Sequence, residues 1–202
     1  MAAEPAHAVV VLAAGHSRRL GQPKQLLRRE GETLLARCLR LAAATRPRRL
    51  RVVVNAHSAR WLDDAAGLCL ETCQVAGEQL ADSLRAGFDG LDGAQEPVSR
   101  ALVLPCDLPR LELVHLQQLL GLSTAAASGI AVVRHGDRPG VPAVLPAPFS
   151  GWISQLSGDR GLQAALMRRA AQGIGWLDAS ELGDDIDTPA QLAAARAAGW
   201  LD

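Results

Sequence analysis

Short, continuously apolar runs alternate with helical patterns along most of the chain. Ala8-Val9-Val10-Val11-Leu12 is β-branched and lacks polar alternation, as expected of a strand covered on both faces of a parallel sheet. Comparable runs recur at Arg51-Val52-Val53-Val54, residues 69–75, Ala101-Leu102-Val103-Leu104, residues 129–133 and Ala143-Val144-Leu145. Between them, Thr33 opens a stretch to residue 45 with Leu34, Leu35, Cys38, Leu41 and Ala42 at helical spacing; Leu80, Leu84, Gly87, Phe88 and Leu91 repeat the pattern. This alternation predicts βαβ units, a mostly parallel sheet and right-handed crossovers.

Residues 134–150 break the rhythm. Gly136, Pro139, Gly140, Pro142, Pro146 and Pro148 interrupt short apolar pieces, which predicts a loop and an antiparallel excursion forming the second wall of a cleft. Helical patterning resumes over residues 159–167 and again after Thr188. There Thr188 serves as N-cap, Pro189 takes the first helical position, Gln191 completes a capping box and Gly199 stops the helix.

The segment following the first strand carries the chemistry. Leu12, Ala13, Ala14, Gly15, Ser17, Arg18, Arg19, Gly21 and Lys24 form a glycine-punctuated basic loop at the carboxyl end of a strand, where open α/β sheets bind ligands. Gly15 and Gly21 allow backbone N–H groups to approach phosphate oxygens, and the two arginines and the lysine supply charge. The loop matches neither GxGxxG, since position 17 is serine, nor a Walker loop, since Lys24 follows proline. A strand before it, two glycines, a serine and three cations in one short loop favour a triphosphate cradle over a solvated basic turn.

Composition narrows the partners. With 202 residues, 49% of them apolar, the whole chain from 1 to 202 can bury the core of a single domain. Net charge is zero, yet residues 1–60 hold 12 Lys/Arg against 3 Asp/Glu, a polarity suited to an anion at the basic end. Two Phe, four Trp and no Tyr give no stacking platform, which argues against nucleic acid. Cys38, Cys69, Cys73 and Cys106 have no zinc-like spacing and read as free thiols in a reducing cytosol. The apolar run at 8–14 is too short for a membrane span and no basic secretory start precedes it, so a cytoplasmic location is expected.

Two acidic positions complete the candidate site. Asp107 follows the run Leu102-Val103-Leu104, and beside a triphosphate its carboxylate calls for a bridging cation, for which Mg²⁺ is the usual choice. Otherwise Asp107 would cap a helix starting near Glu112. Asp187, in Asp184-Asp185-Ile186-Asp187, is the distant partner that could hold the same cation; alone it would serve only the following helix dipole.

These residues resemble the nucleotidyltransferases of the molybdenum cofactor guanylyl- and cytidylyltransferase type, the MobA-like NTP transferases, over nearly the whole chain. The signature LAAGxSxRxGxPKxLL is similar to Leu12–Leu27, a serine-leucine helix start to Ser83-Leu84-Arg85-Ala86-Gly87, and the metal aspartate motif to Asp107-Leu108-Pro109. Gly158-Asp159-Arg160-Gly161 and Asp185 to Pro189 resemble two later motifs. The resemblance implies a three-layer Rossmann-like nucleotidyltransferase α/β fold with a mostly parallel central sheet and a small antiparallel excursion. It also implies transfer of a nucleoside monophosphate to a phosphorylated acceptor such as molybdopterin, with pyrophosphate released. Leu-Ala-Ala-Gly, rather than Leu-Ala-Gly-Gly, looks like the CTP-associated version, and the product would pass to a molybdoenzyme or its chaperone.

Within that frame Arg19 and Lys24 neutralise the phosphates, Mg²⁺ sits between Asp107 and Asp187, and Ser83 contacts the base or ribose. Leu108, Gln79 and Val141 depart from the family's usual glutamine, glycine and polar residue at positions near the acceptor or base. The residues alone leave open a sugar phosphate or another phosphorylated acceptor, or a non-catalytic nucleotide-binding protein that delivers a cofactor.

Overall fold

The structure, a computed structural model, describes residues 5–65, 67–184 and 186–202. Its elements in chain order are β1 (His7–Leu12), β2 (Arg28–Arg29), β3 (Glu32–Thr33), α1 (Leu34–Ala44), β4 (Arg49–Val54), β5 (Glu71–Gln74) and α2 (Leu80–Phe88). There follow β6 (Arg100–Pro105), α3 (Leu113–Ala125), β7 (Ala131–His135), β8 (Arg138–Pro146), α4 (Ser150–Ile153), α5 (Gly161–Arg169), β9 (Gly175–Leu177) and α6 (Pro189–Ala197).

Seven strands form one sheet in the order β5-β4-β1-β6-β8-β7-β9, and β2 and β3 make a small separate antiparallel pair. Only β8 runs against the others in the large sheet, pairing antiparallel with both β6 and β7. The chain builds outward from β1 through β4 to β5, then returns to place β6 on the opposite side of β1. That reversal leaves a crevice outside the carboxyl ends of β1 and β6.

Successive residues of β1 serve opposite layers. Val9 and Val11 pack with Leu35, Leu39, Leu116 and Leu119 from α1 and α3, whereas Ala8 and Val10 pack with Leu84, Phe88, Trp152 and Leu162 from α2, α4 and α5. A strand covered in this way can be apolar at every position, and all four of these β1 residues are fully buried. Helix α1 starts where the Thr33 hydroxyl accepts from Ala36 N at 3.2 Å, a cap that contributes about 1 kcal/mol.

A smaller cluster lies apart from the sheet. Leu20, Leu27, Leu34, Ile186, Leu192, Ala195 and Leu201 pack the basic loop against α6. The Asp202 carboxylate accepts from Glu30 N and Gly31 N at 2.8 and 2.9 Å, tying this corner to the β2–β3 turn. No helix among the described residues is long and apolar enough to cross a membrane.

The proline-rich excursion forms a nine-residue strand inside the main sheet. Between Val132↔Ala143 and Val133↔Gly140 the β7–β8 register shifts, leaving Val141 and Pro142 as bulge residues where a missing N–H costs the ladder nothing. At α6, Thr188 Oγ1 accepts from Gln191 N as anticipated, but the Gln191 side chain accepts from Asp187 N and the Thr188 hydroxyl, at 3.1 and 3.0 Å, rather than from Thr188 N. Gly199 ends the helix in a left-handed conformation at φ +72°.

Helix α2 approaches the sheet through Gly87, where an added Cβ would lie 2.4 Å from Val10 Cγ1 and 3.1 Å from Val53 Cγ2. Neither valine can yield, since both are wholly buried on adjacent central strands. Gly87→Ala is expected to destabilise the fold by about 1–3 kcal/mol through overpacking, read as a lowered midpoint in thermal unfolding. An unchanged midpoint would mean that α2 slides freely on the sheet.

Candidate active site

The basic loop leaves β1 at the crevice. Ala13 N still bonds Val53 O at 2.9 Å, and beyond it the carbonyls are held by side chains. Gln25 Nε2 donates to Ala13 O and Gly15 O at 2.9 and 2.8 Å, and Asn55 Nδ2 donates to Ala14 O at 2.7 Å. Ser17 sits at φ +50°; its hydroxyl accepts from Lys24 N, and its carbonyl accepts from Leu20 N and Gly21 N. Among the described residues, the backbone N–H groups from Ala14 through Arg19 donate to no protein acceptor. Six successive free donors around the open space above Gly15 form a concavity suited to an anion.

The two distant aspartates meet at this loop. Asp107 follows the end of β6, where Cys106 N bonds Leu12 O at 3.3 Å. Lys24 Nζ donates to Asp107 Oδ2 at 3.1 Å and to Asp187 Oδ1 at 2.5 Å, and Arg19 also donates to Asp187. Asp187 arrives from a segment 163 residues further along, held by its neighbour Ile186 in the small cluster and by Gln191 at its own N–H. Asp107 caps nothing: the start of α3 is served by Glu112 and His115. Asp185, within the acidic run, lies outside the described residues.

Burial alone would lower the Lys24 pKa, but the Asp107 charge and the hydrogen bonds to both carboxylates outweigh it and hold the ammonium above the usual lysine range. Asp187 is held below the ordinary carboxylate range, first by the Lys24 hydrogen bond and then by the charges of Lys24 and Arg19. Both groups are therefore fully ionised at neutral pH.

A cleft of about 300 Å³ is lined by Leu12, Gly15, Ser17, Arg18, Arg19, Lys24, Asp107 and Asp187. Further along β6 a second cleft of about 300 Å³ shares Asp107 and is walled by Leu108, Pro139, Gly140, Val141, Arg160 and Gln163. The excursion thus supplies a wall, as its position in the sequence suggests. Ala13 is wholly buried and offers only backbone. Ser83 is buried within α2 and lines neither cleft, so the structure does not bring it to the loop.

Three residues escape a reading of the sequence. Gln25 and Asn55 hold the loop, and Glu78 lines the first cleft, accepting from Arg18 at 2.6 Å with His16 Nε2 at 3.5 Å. The only sequence signal for Gln25 is a polar residue directly before Leu26-Leu27. Glu78 has no signal beyond its place a few residues before Ser83.

Two carboxylates that already converge on one cation are a hard oxygen donor set, fit for a divalent ion that completes its shell with phosphate and water. Among the described residues no group of three or more His, Cys, Asp or Glu is arranged for a metal, so a phosphate ligand would be integral to such a site.

Comparison with known proteins gives the same picture. Residues 9–173 match the family described as the MobA-like NTP transferase domain. A molybdenum cofactor guanylyltransferase from Pseudomonas putida strain GB-1 is 31% identical over 187 residues, covering 86% of this chain and 89% of the relative. A probable molybdenum cofactor guanylyltransferase from Synechococcus elongatus is 32% identical over 185 residues, covering 83% and 87%. The crystal structure of Rv0371c from Mycobacterium tuberculosis H37Rv superposes with a TM-score of 0.75 at 26% identity, covering 95% of this chain and 98% of that one. The alternating sheet, the loop at its switch point and these matches agree: the chain belongs to the MobA-like NTP transferase family and is a nucleotidyltransferase.

Proposed function

We propose that the protein transfers CMP from CTP to a phosphorylated acceptor of the molybdopterin type. An oxygen of the acceptor's terminal phosphate attacks the α-phosphorus in line, the bond to the bridging oxygen breaks, and pyrophosphate leaves with that oxygen. An ionised phosphate needs no general base, so the protein's task is positioning and charge neutralisation. The single observation that carries this reading is the meeting of Lys24, Arg19, Asp107 and Asp187 beside six unpartnered loop N–H groups.

In the mechanism that follows, the loop amides bind the β- and γ-phosphates and Arg19 offsets the charge of the departing pyrophosphate. Lys24 leaves its carboxylates for the α-phosphate, where negative charge builds in the transition state. Asp107 and Asp187 would hold Mg²⁺, which supplies further charge neutralisation at the same phosphate when bound. The second cleft, reached across Asp107, would take the acceptor and orient its phosphate.

Support for CTP comes from Ala13-Ala14 in the signature loop, and support for the acceptor comes from the names of the relatives. Those same names favour a second reading in which GTP is the donor. Pyrophosphate release with CTP, GTP, ATP and UTP, each supplied with Mg²⁺ and molybdopterin, decides between them. CTP is expected to be the fastest donor. A preference for GTP would leave nucleotidyl transfer intact and replace the cytidylyl assignment, whereas no release with any donor would end the reading.

A further inference from the structure

We propose that Gln25 is the positioning residue that aims the loop's amide donors at the β- and γ-phosphates, with Asn55 holding the same peptides from the opposite side. The inference rests on the nucleotide reading above and concerns how the cradle keeps its shape. Gln25 is 2% exposed and sits in the turn Lys24–Leu26, directly after the lysine of the site.

Three successive carbonyls are pinned in alternating directions. Ala13 O and Gly15 O both turn to Gln25 Nε2, and between them Ala14 O turns to Asn55 Nδ2. In a planar trans peptide the N–H of each following residue points opposite to the carbonyl. Fixing these carbonyls therefore fixes the N–H groups of Ala14, Gly15 and His16, three of the six free donors. Asn55 is itself anchored, since its Oδ1 accepts from His57 N and Ser58 N at 2.8 Å each at the end of β4. The loop is thus referenced to the sheet on one side and to the Lys24 turn on the other.

The remaining polar atom of Gln25 shows that packing is not its purpose. Gln25 Oε1 is buried with no hydrogen-bond partner among the described residues, which costs free energy that an apolar side chain of equal length would avoid. Flipping the amide would not relieve it, because the oxygen would then face two carbonyl oxygens. The two donated bonds are what the amide supplies.

The test compares wild type, Gln25→Met and Gln25→Glu in titrations with CTP and with CMP in Mg²⁺ buffer, each variant's fold being checked by circular dichroism. Met keeps the length without the amide, and Glu keeps the shape without either donor. Both variants are expected to bind CTP at least about tenfold more weakly while CMP affinity stays within about twofold, since only CTP reaches the donors with β- and γ-phosphates. Asn55→Asp, which keeps the Oδ1 acceptor and loses the Nδ2 donor, should shift CTP in the same direction. Wild-type CTP affinity in both Gln25 variants, or equal weakening of CTP and CMP, would overturn the proposal. Failure of the nucleotide reading looks different: wild type itself would then bind CTP no more tightly than CMP, and the role of Gln25 would fall with it.

Discussion

Asp107→Asn is expected to reduce the rate of nucleotidyl transfer by roughly 100-fold or more, a loss of about 2.7 kcal/mol or more of transition-state stabilisation. The substitution keeps the side chain's shape and removes one of the two charges facing Lys24 Nζ. Its signature is a split between binding and turnover. With one fewer carboxylate in the cleft, CTP in the presence of a chelator should bind at least as tightly as to wild type, because repulsion of the phosphates falls. Single-turnover pyrophosphate release in Mg²⁺ should collapse. A rate within twofold of wild type would remove Asp107 from the chemistry, and a parallel loss of chelated CTP binding would point to a damaged site instead.

Lys24→Met is expected to act on both rate and stability. The side chains of Lys24, Asp107 and Asp187 are 15%, 32% and 24% exposed, so the trio is shielded without being sealed from water. Removing the ammonium leaves two carboxylates sharing a cleft, with Arg19 still paired to Asp187 on one side. Breaking a fully buried pair costs about 3–5 kcal/mol, and discounting for solvent access leaves about 1–3 kcal/mol here. The unfolding midpoint should fall at low salt, and the deficit should shrink as salt screens the two aspartates.

The rate should fall by roughly 100-fold or more from loss of the point charge at the α-phosphate. Lys24→Arg should restore stability better than activity, because a planar fork does not reproduce a compact ammonium seated between two carboxylates. A Lys24→Met protein as stable and as active as wild type would show that the trio is an incidental surface cluster.

Much of this architecture is readable before any coordinates, for reasons that vary by element. The run around Val9-Val10-Val11 declares a doubly covered strand because every position is apolar and β-branched, and both faces do meet helices. Thr188, Pro189 and Gly199 mark both ends of α6 because each satisfies a local backbone requirement that needs no tertiary partner.

Strand β8 is harder. Its prolines read as a break, yet Pro142 falls in the bulge opposite Val132 and Val133, while Pro139 and Pro146 sit where β8 pairs with one neighbour only. The strands of β2, β3 and β9 are two or three residues long, too short to impose a period on the sequence.

The candidate site divides in the same way. Arg18, Arg19, Lys24, Asp107 and Asp187 are visible because charge, glycine spacing and strand ends mark them, and the fold brings all five to one cleft. Ser83 carries the motif, but it is buried on helix α2 and lines neither cleft. Gln25 and Asn55 are invisible for the opposite reason. Their work is to bond main-chain carbonyls, and a side-chain amide that does so carries no distinguishing neighbour in the sequence.

The small cluster around Leu20, Ile186 and Leu192 has a consequence for how the enzyme breathes. One carboxylate stands at the end of a central strand, but the other is moored to a seven-residue outlying core. Such a patch can detach and reseat at a fraction of the free energy of global unfolding. Weakening it would open this local route and scatter the active machinery before the sheet itself gives way.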